Sequence, residues 1–373
     1  MPRGGALQIA RCRGALQIAI GCSLSLACLE RTAGTGAPAD TVFSIGINNN
    51  LTGPPQTASV VNLKFSGGIP GPDIVVAVRM AARPTIDGND ADWQGVAASE
   101  IPLIPPGAAV GLDQAAWDQE WTAAFGATRP YDHGISSVSV KAGYDDQRIY
   151  FLLQWADATE NRTRERWEFN GTSFARMLGM KEDMASLAFN IEGSFKAFPI
   201  AGCAAACHVA ERRGQVTAAD KSYRFLMHTN ASGELGDVWR WSASRSNPMQ
   251  HADDFAWTDV RRVPDGTTEY GAVNLVTPAG GTQQPIFMGE SGVNSNPDYI
   301  FAAGVGSPSA VAFDPTGAGA GAHIPGWINQ VPGPGGDDIR AAGQWSNGRW
   351  TVEFERALTT VDPKDAQFPL QQP

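Results

Sequence analysis

What most limits the fold of this chain is how its apolar residues are grouped. "DIVVAVRM" (73–80), "SSVSVKAGYDD" (136–146), "RIYFLLQWAD" (148–157), "MASLAFNI" (184–191) and "RWTVEFERAL" (349–358) are short runs of β-branched and aromatic residues bounded by turn residues. Such runs read as strands. In "VSVKAGY" and "WTVEFER" apolar and polar residues alternate, so one face of each strand is apolar and has a core to cover. Helical periodicity is weak, and only short turns are expected, in "DQAAWDQEWTAAFG" (113–126) and around Ala204–Arg213. Stretches such as "DPTGAGAGAHIPGWINQVPGPGGDD" (314–338) are too rich in Gly and Pro for regular elements and read as surface loops. The expected fold is mainly β: an antiparallel sandwich with few short helices and long loops.

The 373 residues suffice for one large or two ordinary domains with proper cores. Gly14–Leu29 carries no charge, follows Arg3, Arg11 and Arg13, and precedes the small, polar "ERTAGTGAPAD"; that order is the order of an export signal. Sixteen residues are few for a membrane-spanning helix. Cleavage near Ala39, lipidation of Cys28 and a plain anchor helix stay open as fates of this leader (1–29), and each leaves the bulk in a non-cytoplasmic space such as the periplasm. Residues 30–74, with "GINNNLTGPPQTAS" and "SGGIPGPD", read as a linker or loosely attached edge strand before a domain at 75–373. The near-repeat "RGGALQIAR"/"RGALQIAI" is confined to the leader and carries no fold information. A net charge of −10 argues against a nucleic-acid partner, which needs a basic face.

Three of the five cysteines lie in the leader; Cys203 and Cys207 remain, in "AGCAAACHVAERRG" (201–214), with His208 directly after. Covalent attachment of a c-type haem needs two thiols that can each add to a vinyl group, and a histidine beside the second to ligate the iron. The usual motif has two residues between the cysteines and this one has three. Residues four apart still share one side of a helical turn, so both sulfurs can face the porphyrin. A Cys203–Cys207 disulfide would close too short a loop to stabilise much and would leave His208 unexplained. Zinc would need a second Cys/His pair, which the chain lacks.

A sixth iron ligand is sought nearby, in "RFLMHT" (Met227, His228) and "NPMQHADD" (Met249, His251), with Met227 preferred and His228 next. Each has a plainer role as packing or as a hydrogen-bonded surface residue. Phe225, Trp239, Trp241 and Trp257 could wall a macrocycle, and Arg240 and Arg245 could pair with propionates; ordinary core is an equal expectation for the tryptophans.

Five linked stretches carry a family resemblance: "RPTIDGNDADWQGV" (83–96), "SVSVKAGYDDQRIYFLLQWADAT" (137–159), "KEDMASLAFNI" (181–191), "GELGDVWRWSASRSNPMQHADDFAW" (233–257) and "GQWSNGRWTVEFERAL" (343–358). In this order the chain resembles the ethylbenzene dehydrogenase-type haem-binding domain over roughly residues 75–360. The resemblance implies a β-sandwich with a haem held against it. It also implies a role either as haem b subunit of a periplasmic molybdenum enzyme or as a c-type cytochrome with an inserted Cys/His motif. Haem b members are expected to use a methionine and a lysine, the lysine following the second tryptophan of Trp-x-Trp. Here that position is Ser242, and serine does not replace an amine as a strong iron ligand. Members are also expected to continue past the equivalent of "FPLQQP" into another strand, so one sheet edge is expected to be incomplete.

The residues and the resemblance together point to an exported mono-haem c-type cytochrome that passes electrons to redox partner proteins and does no substrate chemistry itself. Its rivals are the haem subunit of a larger molybdenum oxidoreductase, a cofactor-free carbohydrate-binding sandwich suggested by "IDGNDADW", and a peroxidase with an open iron position.

Overall fold

The computed structural model describes residues 38–48, 57–65, 69–103, 137–178, 180–196, 198–202, 206, 229, 231–259, 262–265 and 270–371. All belong to one compact unit, Gly34–Pro373. The β-branched and aromatic runs do form strands. Those of the main sheet are β1 (Thr41–Asn48), β2 (Thr57–Lys64), β3 (Ile74–Arg79), β4 (Ser99–Pro102), β5 (Ser137–Tyr144), β6 (Arg148–Ala156), β9 (Met184–Asn190), β10 (Gly236–Ser242), β11 (Asp253–Trp257), β12 (Arg262–Pro264), β19 (Arg340–Ser346) and β20 (Arg349–Ala357). Small sheets are built from β7 (Trp167–Phe169), β8 (Phe174–Arg176), β13 (Gly271–Val273), β14 (Phe287–Gly289), β15 (Ile300–Phe301), β16 (Ala310–Ala312), β17 (His323–Ile324) and β18 (Trp327–Asn329). Among the described residues helix is limited to single turns such as Phe198–Ala201. The mainly-β expectation holds, and no described helix is long and apolar enough to cross a membrane.

The main sheet runs β12-β11-β10-β9-β1-β2-β3-β5-β6-β20-β19, with β4 also on β5. Its pairings are antiparallel except around β3, which lies parallel to both β2 and β5. The sheet curls until its halves face each other. Phe43 on β1 and Phe151 on β6 are four strand spacings apart, about 19 Å in a flat sheet, yet their ring centroids lie 5.5 Å apart. Trp241 on β10 and Trp350 on β20, seven spacings apart along the sheet, meet at 4.9 Å. The core therefore lies inside the curl, lined by Phe43, Ile45, Leu63, Phe151, Trp239 and Trp350 among others. The far ends approach as well: Ala252 N–H donates to the Ile339 carbonyl (3.0 Å) and Ala341 N–H to that of Gln250 (3.2 Å). The edge at β19 is thereby partly covered.

The stretch expected to be a linker is the main correction. β1 and β2 stand mid-sheet, β1 between β2 and β9, and β2 between β1 and β3. The reason is readable in "TVFSIGIN", where Phe43, Ile45 and Ile47 alternate onto the core face and are fully buried. The Gly- and Asn-rich residues that flank these strands obscured that short alternation. The Gly/Pro-rich region 270–338 likewise holds six short strands. It is ordered around Asn274, fully buried, whose Nδ2 donates to the Phe287 and Pro325 carbonyls (2.9 Å each) and whose Oδ1 accepts the Ile286 and Phe287 N–H groups (2.9 Å each).

The "IDGNDADW" segment straps the outer face of the β6/β20 pair. Trp93 Nε1 donates to Glu353 Oε1 (2.7 Å), and the Asp87 and Gly88 N–H groups donate to its Oε2 (2.9 and 2.8 Å). Gly88 has φ +81°, and a Cβ there would meet Gln344 N at 2.8 Å, so no other residue fits.

Candidate functional site

The chain leaves β9 at Asn190 and returns on β10 at Gly236, and these two residues are paired. The Cys/His motif thus lies in an insert between adjacent antiparallel strands, rooted at one end of the sheet. Both arms of the insert are anchored. Asn190 holds the Phe195 backbone through both its amide atoms (2.9 and 3.0 Å). Glu234 accepts the N–H groups of Lys196 (3.0 Å) and Ala231 (3.1 Å) and so ties one arm to the other. The Phe195 and Phe198 rings, 5.9 Å apart, are buried, as is Ala206 within the motif. Cys203, Cys207, His208, Phe225, Met227 and His228 lie outside the described residues, as do the short turns expected at 113–126.

Trp239 and Trp241 alternate with Val238, Arg240 and Ser242, and pairing across the curl puts both indoles in the core. Trp239 packs on Phe189 (4.9 Å) and Phe151 (5.9 Å), with the Arg356 guanidinium 4.6 Å over its ring. Trp241 packs on Trp350 and donates from Nε1 to Asn247 Oδ1 (2.9 Å). Both are fully buried, within the core of the curl. Trp257, 1 % exposed, is equally enclosed.

The arginines are engaged inside the protein. Arg240 donates to Asp253 Oδ2 (2.7 Å) and lies 4.4 Å over Phe255. Arg245, 1 % exposed, donates from Nε to Glu182 and lies 5.0 Å over Trp327. Glu182 is fully buried and also takes the Ser244 N–H (2.9 Å), with Arg164 3.5 Å away. Burial works against its charge, but Arg245 and Arg164 outweigh that and hold its carboxyl below the usual range. Burial, together with the Arg245 charge, brings Arg164 down to about 10. Glu182 is a residue that sequence reasoning missed: a glutamate before a strand is ordinarily exposed, and only the convergence of distant segments marks it.

Ser242, at the far end of β10, is also fully buried, its N–H donating to Ser246 Oγ (2.9 Å). Its Cα partner on β9 is Met184, whose sulfur receives an Arg245 Nη2 contact (3.5 Å). At this end of the strand Ser242, where the resemblance expects a lysine, bonds Ser246 beside the Arg245–Glu182 pair, and serine supplies no amine to ligate an iron. His251 sits at this end too, half-buried, with Nδ1 2.8 Å from the Met249 carbonyl and its ring stacked on Tyr270 at 5.3 Å. β10 spans seven residues, so His251 and Met249 lie about 20 Å along the strand from the roots of the insert.

A curled, mainly-β sandwich with a motif-bearing insert between two core strands defines a β-sandwich scaffold. Its residues 90–373 match the family model described as ethylbenzene dehydrogenase, and the chain belongs to that family. No curated protein matches the chain.

Proposed function

We propose that the protein is an exported mono-haem c-type cytochrome that transfers electrons and performs no substrate chemistry itself. One observation carries the reading. The only two cysteines outside the leader, followed by a histidine, fall together in the insert between β9 and β10, while a serine stands where an amine ligand would. Two thiols and an imidazole are the donor set that a covalently held haem requires. The haem would supply the one-electron chemistry. Cys203 and Cys207 would form the thioethers and His208 the proximal bond. Met227 or His228, within the same insert, suit the distal position better than His251, which lies at the opposite end of β10. The leader supports a periplasmic or otherwise exported location, with a lipid on Cys28 as the alternative mode of retention.

Family membership favours a second reading: the same chain as the haem-bearing subunit of a molybdenum oxidoreductase, with the catalytic and iron–sulfur subunits as redox partners. Copurification of molybdenum with the tagged chain from its native host separates the two readings. The carbohydrate-binding alternative loses its support, because "IDGNDADW" is engaged as a strap and Trp93, Trp155, Trp167, Trp239, Trp241, Trp257 and Trp350 are all buried.

The test is haem extraction. Protein made in a periplasm equipped for cytochrome c maturation is expected to keep its haem through acid–acetone treatment and to give a c-type pyridine haemochrome spectrum. The Cys203→Ala/Cys207→Ala variant is expected to release it. Extractable haem in both proteins would shift the assignment to a haem b subunit, and colourless protein in both would reject haem binding.

A further inference from the structure

Where the two ends of the curled sheet meet, five carboxylates converge from separate parts of the chain: Asp237 on β10, Asp254 on β11, Asp265 after β12, Asp338 before β19, and Asp365 near the C-terminus. Among the described residues two cations answer them. Arg356, fully buried, donates to Asp237 Oδ2 (2.6 Å) and lies 3.9 Å from Asp365, and Lys364 contacts Asp265 Oδ1 (2.8 Å). Asp254 is the outlier. It is 2 % exposed and pairs with Trp239 across the strands, so it shares the interior face, yet among the described residues no N–H donor or cationic side chain bonds to either of its oxygens, and its one side-chain contact is another acid, Asp338. Asp265 Oδ2 and Asp365 Oδ1 are also buried without a hydrogen-bond donor among the described residues. Asp254, Asp265 and Asp365 each present an oxygen, and these lie within 4.8 Å of one another. Buried carboxylate oxygens so placed, with no hydrogen-bond donor of their own, repel each other unless a proton or a further cation intervenes. Two ligands on opposite sides of Ca2+ at about 2.4 Å span that separation, and an all-oxygen, anionic donor set selects a hard cation.

We propose that Asp254, Asp265 and Asp365 hold a hard divalent cation, calcium by the chemistry of the donors, at the seam of the curled sheet. Asp365 brings the C-terminal segment to the site, where Ala366 N–H already donates to Asp237 (2.8 Å), so the ion clamps that segment onto β10 and β11. The competing arrangement is neutralisation by protons. Burial, reinforced by the Asp237 charge, pushes Asp254 well up, and burial brings Asp265 to about 7. Asp338, in contact with Asp254, could share a proton with it.

The experiment uses the full-length holoprotein, stripped with EDTA and titrated with Ca2+ or Mg2+ by calorimetry, with thermal unfolding read in parallel. One Ca2+ per chain is expected, with a rise in Tm on the order of 5 °C at about a hundred times Kd and a weaker response to Mg2+. Asp254→Asn is expected to lose the calcium response while unfolding in EDTA at or above the parent temperature, because a buried uncompensated charge is gone. Asp265→Asn is expected to lose the response too, and decides the matter should the first variant fail to fold. A parent Tm unmoved by Ca2+, with no bound metal found by elemental analysis, would overturn the proposal in favour of protons.

Discussion

A tight constraint on a single position is the approach of β19 to Trp241. A Cβ on Gly343 would lie 2.4 Å from the Trp241 ring and 3.0 Å from Val352 Cγ2, and Trp241 is itself locked by Trp350, Trp155 and Asn247. Asn247 Oδ1 accepts the Gly343 N–H at 2.8 Å while its Nδ2 donates to the Gly343 carbonyl at 3.1 Å, so the glycine backbone is held from both sides. Neither ring nor strand can retreat. Gly343→Ala is expected to cost about 2–4 kcal/mol through overpacking, read as a lower urea midpoint with an unchanged m-value. Normal stability in this variant would mean that β19 and β10 are farther apart than described. For Trp239 and Trp241 ordinary core was an equal expectation beside a haem wall, and both lie in the core. That Arg245 and Glu182 form a buried pair was not legible, since Glu182 precedes one strand and Arg245 follows another. No local pattern announces a contact made only when the sheet curls.

Short alternating runs are enough to name a strand but say little about its neighbours. β5, β6, β9 and β20 were readable because their apolar faces repeat over several residues; β1 carries only Phe43, Ile45 and Ile47 between turn-rich flanks. Its central position, and the parallel pairings of β3, come from long-range pairing that periodicity does not encode. The consequence is sharp for where the folded unit starts. A chain beginning at Asp73 would lose β1 and β2 and expose the edges of β9 and β3, so it is expected to be insoluble or to lack near-UV circular dichroism, whereas a chain beginning at Gly34 is expected to fold. The Cys/His insert was located by composition alone, because paired cysteines are a chemical signal that needs no periodicity. The strap at 83–96 shows the reverse: "IDGNDADW" resembled a stretch of carbohydrate-binding sandwiches, and here the Asp87 and Gly88 N–H groups and Trp93 Nε1 bond Glu353. Removing that acceptor in Glu353→Ala leaves three N–H groups without it, and a loss of about 2–4 kcal/mol is expected, again by urea denaturation.

The curl makes the whole unit answer to charges buried between its layers, and Asp183 is the clearest case. Its Oδ2 accepts the Asn161 N–H (2.7 Å) and Trp350 Nε1 (2.9 Å), and its carbonyl accepts the Ala243 N–H (2.9 Å), so it joins the loop after β6, the start of β9, the end of β10, and β20. Burial, with the charge of Asp157 adding to it, raises its carboxyl from 3.8 to about 8. A raised carboxyl means that the folded state holds a proton the unfolded chain has released. Its contribution to stability is therefore fully present below about pH 4 and declines as pH rises towards about 8, by an amount on the order of a few kcal/mol. With EDTA held constant, Tm is expected to fall between pH 5 and 8 in the parent, and the fall to be shallower in Asp183→Asn, whose amide oxygen can still accept from Asn161 and Trp350. Because these bonds cross between the facing halves, the same transition is expected from near-UV and from far-UV circular dichroism. Equal slopes in the two proteins would show that Asp183 is ionised in the folded state, and separated transitions that the halves of the sheet unfold independently.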